Sequence, residues 1–352
     1  YPMNLLLSRF SIVDLLVGAS QAMAAPDLVV VNAKITNASG QTYSALSVEN
    51  GKFSAFSQDA QQLLADADSA TQVIDAKGQR LIPGINDSHM HVTRGGRFYN
   101  LETRWGGITS FKEGLAMLEE QAKSTPKGQW VRVIGGFSPY QFEEKRLPTL
   151  KELTDIAPNK PVFLLHLYSG GVLNKKGLEA LGIDKDTQAP KGSVIERDAN
   201  GNPTGVLLAQ PNPMILYKTI AALPQLSANE QLNSSRQFYR KLLSLGVTSV
   251  VDAGGGGHTF PEDYTASETL AKLGELPIRV SNYLFPQVPN KEMVSFATWM
   301  SKYEANQNQH IHLDNGYVIE GGGELLTYQA PDDENLRAPP HELPCEAERA
   351  LT

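Results

Sequence analysis

Apolar and polar positions follow two rhythms along the chain, and the change falls near residue 80. Before it, the apolar runs are short. Residues 27–32 (DLVVVN) are rich in valine. Runs 44–49 and 52–57 flank Asn50-Gly51, the strongest short hairpin signal. Residues 73–74 and 80–82 follow. Together they predict a small antiparallel β unit.

Beyond residue 80 strand and helix signals alternate. Residues 80–85 read as an apolar strand running into Asn86-Asp87-Ser88-His89-Met90-His91. Capping boxes at Ser110/Glu113, Thr149/Glu152 and Ser227/Glu230 open three helices. The first carries Phe111, Leu115, Leu118 and Ala122 on one face, and the third stops at Gly246. Further helices are expected at 175–181, 267–273 and 292–306. Strands are expected at 130–137, 161–167, 247–252, 278–285 and 317–320, with a hairpin of 193–197 and 204–208 turning at Asn200-Gly201. The run at 247–252 is apolar on both faces, as a strand of a parallel sheet is. The alternation predicts an α/β fold with helices outside a parallel sheet, either a barrel or an open doubly wound sheet. A dinucleotide fingerprint would favour the open sheet, and none is present.

With 352 residues, 41% hydrophobic and 20% charged, the composition excludes wholesale disorder, collagen and coiled coil. The length suits about two domains, or a barrel with an appendage. A net charge of −7 without a basic block argues against nucleic acid or an anionic membrane as partner. The single cysteine, Cys345, excludes an intrachain disulfide and a cysteine zinc cluster. Any metal must therefore be held by His and carboxylates. Residues 1–25 are apolar and end in Ala22-Met23-Ala24, the shape of a secretory signal peptide, although Asp14 interrupts the run. No other stretch is long and apolar enough to span a membrane. Residues 330–352 hold four prolines and six acids against two arginines, which reads as an acidic, solvated tail.

His89-Met90-His91 is the sharpest chemical feature. At a strand end, positions i and i+2 point to one side, so both imidazoles can converge on one divalent ion. Asp87 shares that face and could support the pair. A second pair, His310 and His312, reads as an exposed edge or loop. Gly254–Gly257 lack the spacing of a phosphate loop and read as a turn needing close backbone approach. Asp252 ends its strand and could face a substrate pocket. His166 lies within an apolar strand, where a satisfied core position competes with a place in that pocket. Glu320 ends a strand before Gly321-Gly322-Gly323, and its carboxylate could reach a metal or cap a turn.

The string LIPGINDSHMHV at 81–92 resembles the signature of the amidohydrolase superfamily. LVVVNAKI at 28–35, PVFLLHLYSGGVLN at 161–174, ERDANGNPTGVLL at 196–208, GVTSVVDAG at 246–254 and VIEGGGELLTY at 318–328 are similar to its YtcJ-like branch. The likeness covers roughly residues 27–330. It implies a (β/α)8 TIM-type barrel at 81–329, incomplete here, beside a small N-terminal β-sandwich portion at 26–80. It also implies a metal-dependent hydrolase, most simply with zinc, in which His89 and His91 are first-strand ligands. The metal would activate water against an amide or related C–N bond of a small molecule. Departures accompany the likeness. Residues 317–324 hold no Lys to bridge two metals, which leaves Glu320 as the expected carboxylate. Ser169-Gly170 stands where the branch carries Gly-His. No string after residue 330 supplies the further ligands and general base expected on later strands, so the catalytic residue is unassigned. The chain is expected to be a truncated form that self-associates through unpaired strand edges. The alternative is a secreted binding or scaffold protein that has lost catalysis.

If the leader is cleaved, the protein begins near Ala25 or Pro26 and is periplasmic or secreted. N-terminal sequencing of protein from cell fractions checks this. An intact residue 4–20 segment in soluble cytoplasmic protein would return the chain to the cytoplasm.

Overall fold

The computed structural model describes residues 25–166, 169–254, 259–285, 291, 293–298, 312–313 and 316–324. The leader, the acidic tail, His258 and His310 lie outside the described residues. So does the expected helix at 292–306, apart from a helical stretch at 293–298. The chain divides into two compact units between Pro83 and Gly84. No helix among the described residues is long and apolar enough to cross a membrane.

The first unit contains β1 (Leu28–Val31), β2 (Lys34–Thr36), β3 (Thr42–Tyr43), β4 (Ala45–Glu49), β5 (Lys52–Ser57), α1 (Ala60–Leu64), β6 (Gln72–Asp75) and β7 (Arg80–Leu81). They form a four-stranded sheet, β5-β4-β1-β6, and a three-stranded sheet, β3-β2-β7. The β4–β5 hairpin turns at Asn50-Gly51, both with positive φ (51° and 73°), as a two-residue turn matched to strand twist requires. The unit is mixed rather than antiparallel, because β1 pairs β6 and β2 pairs β7 in parallel. The unbroken valines of β1 are explained by burial on both faces. Val29 and Val31 pack with Ala45 and Leu63, and Val30 packs with Ile35 and Leu46.

The second unit is mixed α/β and contains two sheets. Its elements are β8 (Ile85–Met90), α2 (Val92–Phe98), α3 (Phe111–Ser124), β9 (Val131–Ile134), α4 (Leu150–Ile156), β10 (Val162–His166), β11 (Gly170–Leu173), α5 (Lys175–Leu181), β12 (Ser193–Arg197), β13 (Pro203–Ala209), α6 (Met214–Ala221), α7 (Ala228–Ser244), β14 (Val247–Asp252), α8 (Thr265–Lys272), β15 (Arg279–Leu284), β16 (His312–Leu313) and β17 (Tyr317–Gly322). In the first sheet, β16-β17-β15-β14-β8, the four strands β8, β14, β15 and β17 run parallel. Val250, Val280 and Tyr317 of this sheet pack against Tyr239, Leu242, Leu270 and Ala271 of α7 and α8. The second sheet, β12-β13-β11-β10-β9, is parallel only between β9 and β10. The expected strand at 161–167 is β10, and β11 pairs with it antiparallel. The pairing is tight at Gly171, where a Cβ would lie 2.7 Å from the Phe163 ring and 2.9 Å from Leu164 O.

Two expected strands end early for local reasons. The run at 80–85 breaks into β7 and β8 at Pro83-Gly84. Pro83 has no N–H to give a ladder, and a Cβ at Gly84 would overlap the Thr248 side chain. The run at 130–137 stops at Ile134 because Gly135 and Gly136 take positive φ (74° and 72°). The capping boxes at Thr149 and Ser227 are reciprocal, whereas at Ser110 only the serine accepts, from Glu113 N.

The edge of β9 is occupied by a short bridge. Glu102 pairs with Arg132, and Thr103 N donates to Arg132 O at 2.9 Å. Burial pushes the Glu102 carboxyl up to about 7, against the pull of Arg104, Arg132 and Arg94. A folded-state value above the unfolded one means that the folded chain holds the extra proton. Stability contributed by this group is therefore present at acid pH and lost as pH rises through about 7. Glu102→Gln is expected to stabilise the chain at pH 8 by on the order of 1–3 kcal/mol. It should also flatten the fall in stability between about pH 4.5 and 7, read by urea unfolding across that range.

Candidate metal centre

β8 delivers the histidine pair, but not as two positions of a regular strand. Opposite β14, Val250 pairs with Asp87 and Asp252 with Met90, so β8 carries one extra residue there. Asp87 Oδ1 accepts from His89 N at 3.0 Å, inside this bulge. His91 has already left the strand and sits at the N-cap of α2. The two rings stand 5.5 Å apart, edge to face at 82°. His89 is the more open, with 59% of its side chain exposed against 22% for His91.

The carboxylate beside them is Glu324. Its oxygens lie 2.8 Å from His89 Nε2 and 3.6 Å from His91 Nε2. One ligand atom from each of the three residues falls within 4.8 Å of the others. Glu324 is placed by the end of β17. Gly323 N donates to Leu284 O at 2.6 Å, and Glu324 N to Ala253 O at 2.8 Å. The chain passes so close to Ala253 that a Cβ at Gly323 would overlap the Ala253 carbonyl oxygen. The carboxylate expected from the sequence was Glu320. Between β15 and β17, Asn282 pairs with Ile319 and Tyr283 with Gly321, which makes Glu320 the unpaired residue of a bulge. Its carboxylate accepts from Ser281 Oγ at 3.5 Å.

The two residues expected in a substrate pocket lie elsewhere. Asp252 is fully buried, and both of its oxygens accept backbone N–H groups, from Thr93 at 2.8 Å and Gly254 at 3.1 Å. Burial raises its pKa, and those hydrogen bonds oppose the rise. Strand alternation turns its neighbour Val251 toward the open cleft instead. That cleft, of about 240 Å³, is lined by Ser88, His89, Val251, Ala253, Tyr283 and the 322–324 turn. His166 ends β10 in the other sheet, where Nδ1 lies 2.9 Å from Ser169 Oγ. Of the second histidine pair, His312 begins β16.

Two imidazole nitrogens and a carboxylate oxygen suit zinc and other divalent ions, and three protein ligands leave a position open for substrate or water. His91 Nδ1 lies 2.6 Å from Gly254 O. A carbonyl oxygen only accepts, so Nδ1 carries the proton and Nε2 is left as donor to an ion. The residues present therefore fit a divalent metal.

Residues 72–344 match the model of the amidohydrolase family. The chain belongs to that family. This amidohydrolase-family chain is 31% identical over 234 residues to the N-substituted formamide deformylase of Arthrobacter pascens, a match covering 64% of the chain and 42% of that protein. It is 30% identical over 215 residues to the putative amidohydrolase YtcJ of Bacillus subtilis, covering 60% of the chain and 36% of that protein. The matched stretch thus spans about two fifths of the length of these relatives. Among solved structures, an uncharacterized metal-dependent hydrolase from Pyrococcus horikoshii shares the fold. Its TM-score is 0.53 at 22% identity, over 84% of this chain and 53% of that one.

Glu324 escaped the sequence reading because Glu320 lies within the apolar strand signal and Glu324 beyond it. The three glycines before Glu324 were the available clue to close backbone approach. A contrast between two of them checks the packing. Gly323→Ala is expected to cost about 1–3 kcal/mol. Gly321, whose Cβ would meet nothing within 4 Å, should tolerate alanine within about 0.5 kcal/mol. Equal midpoints in chemical denaturation would contradict this.

Proposed function

We propose that this chain carries the first-strand metal centre of a metal-dependent hydrolase acting on a C–N bond, an amide or related non-peptide bond of a small molecule. The carrying observation is the convergence of His89, His91 and Glu324 at the C-terminal ends of parallel strands, where α/β folds place their chemistry. Zinc is the proposed ion, held by the two Nε2 atoms and a Glu324 oxygen. When bound, such an ion supplies Lewis acidity, acidifying water and polarising a carbonyl. The chain's own groups prepare the site. Asp87 holds the His89 backbone in its bulge. Gly254 O orients the His91 ring. Val251 and Tyr283 line the space beside the ligands in which a small acyl group would lie. The formamide deformylase relative supports an amide-type substrate. We further propose that the parallel sheet is a portion of a (β/α)8 barrel, that the two small N-terminal sheets are a portion of a β-sandwich, and that the protein is exported.

Zinc titration of the metal-free chain, with elemental analysis, tests the centre. One ion per chain is expected. His89→Ala and Glu324→Gln should each weaken it tenfold or more, and Glu320→Gln should leave it unchanged. Equal affinity in Glu324→Gln would remove the carboxylate from the centre. Stoichiometric tight zinc abolished by His89→Ala would favour the enzyme over the non-catalytic binding protein.

A further inference from the structure

Asp252 has no part in the proposed ligand set, yet it is a fully buried carboxylate one peptide away from it. A buried acid is costly unless its oxygens are satisfied. Here one oxygen takes Thr93 N, in the first turn of α2, and the other takes Gly254 N, just past the end of β14. The carboxylate thus ties the segment carrying His91 to the segment carrying the carbonyl that His91 meets. Gly254 has φ of 85°, a left-handed conformation, and a Cβ there would lie 2.8 Å from Tyr283 O. Gly254 therefore has little room to shift. The N–H on one side of its Cα points to Asp252, while the C=O on the other side receives His91 Nδ1 at 2.6 Å.

We propose that Asp252 is a positioning residue that sets the tautomer of His91: by clamping the Thr93 and Gly254 amides it presents the Gly254 carbonyl to Nδ1–H, so that Nε2 is the bare nitrogen facing Glu324. The inference rests on the metal-centre reading for its purpose, but not for its geometry. The same bond fixes the plane of the ring. Among the described residues nothing holds His89 by its second nitrogen; it is far more exposed and meets Glu324 through Nε2. The two imidazoles therefore differ in kind: His91 is held by the Gly254 carbonyl, and His89 is the more exposed of the pair. Asparagine at 252 offers one acceptor and one NH2 to two N–H donors, so one clamp must open, and the carbonyl moves with it.

The experiment is long-range ¹H–¹⁵N imidazole spectroscopy on the labelled, metal-free chain at pH 8, above the ordinary histidine pKa of about 6.5. Rings are assigned with His89→Gln and His91→Gln. In the wild type His91 should show a protonated Nδ1 and a bare Nε2. In Asp252→Asn the Nε2–H form should appear at His91 while the His89 signals stay in place, and zinc affinity should fall 10- to 100-fold. A merely structural role would lower the unfolding midpoint without altering the tautomer. An Nε2–H tautomer at His91 in the wild type overturns the proposal. So does an Asp252→Asn chain that keeps both tautomer and affinity. If that variant does not fold, the wild-type tautomer still decides. A wild-type chain with the Nδ1–H form that takes up no zinc would sink the metal-centre reading and leave the clamp standing.

Discussion

Parallel pairing of β8, β14, β15 and β17 is the constraint on which the rest of the second unit depends. Parallel strands run in one direction, so their C-terminal ends lie at one edge of the sheet, and each strand hands its chain to a loop on that side. Three such exits meet here: His89 and His91 from β8, Ala253 and Gly254 from β14, Gly323 and Glu324 from β17. The backbone bonds continue past the strands, with Ala253 N on Met90 O and Glu324 N on Ala253 O. Side chains far apart in sequence are therefore positioned by main-chain geometry.

Small departures from regular pairing determine which side chains arrive. An extra residue in β8 accommodates the Asp87–His89 turn, and another in β17 leaves Glu320 unpaired. Bulges of this kind re-aim side chains near functional sites. Glycine makes the approach possible at Gly323 and Gly254, where any side chain would meet backbone oxygen. Burial of Asp252 is tolerated because two amides satisfy it, and the same bonds connect sheet to helix. The site is built from strand edges, two close-packed glycines and one buried acid.

Much of this was legible along the chain. The hairpin at Asn50-Gly51, the capped helices beginning after Thr149 and Ser227, and the apolar strand Val247–Asp252 all carry short-range signals, because turn type, capping and burial on both faces are decided within a few residues. His89 and His91 were visible as a pair for the same reason. β11 at Gly170–Leu173 was less legible, because its paired glycines weaken a strand signal and its place beside β10 is set by pairing rather than by local residues.

By itself the sequence determined an α/β chain, a net negative charge and a candidate pair of imidazoles, His89 and His91. Tertiary structure alone decided which carboxylate joins them and what Asp252 does. Glu320 and Glu324 differ by four positions, and a local reading favours the one inside the strand signal. Only the main-chain register between β15 and β17 leaves Glu320 unpaired in a bulge, and the backbone bonds beyond the strand bring Glu324 to the histidines. Asp252 read as a pocket residue because its partners, Thr93 N and Gly254 N, are main-chain groups. Backbone donors leave no mark in residue identity, so a buried clamp of this kind becomes visible only when the chain is folded.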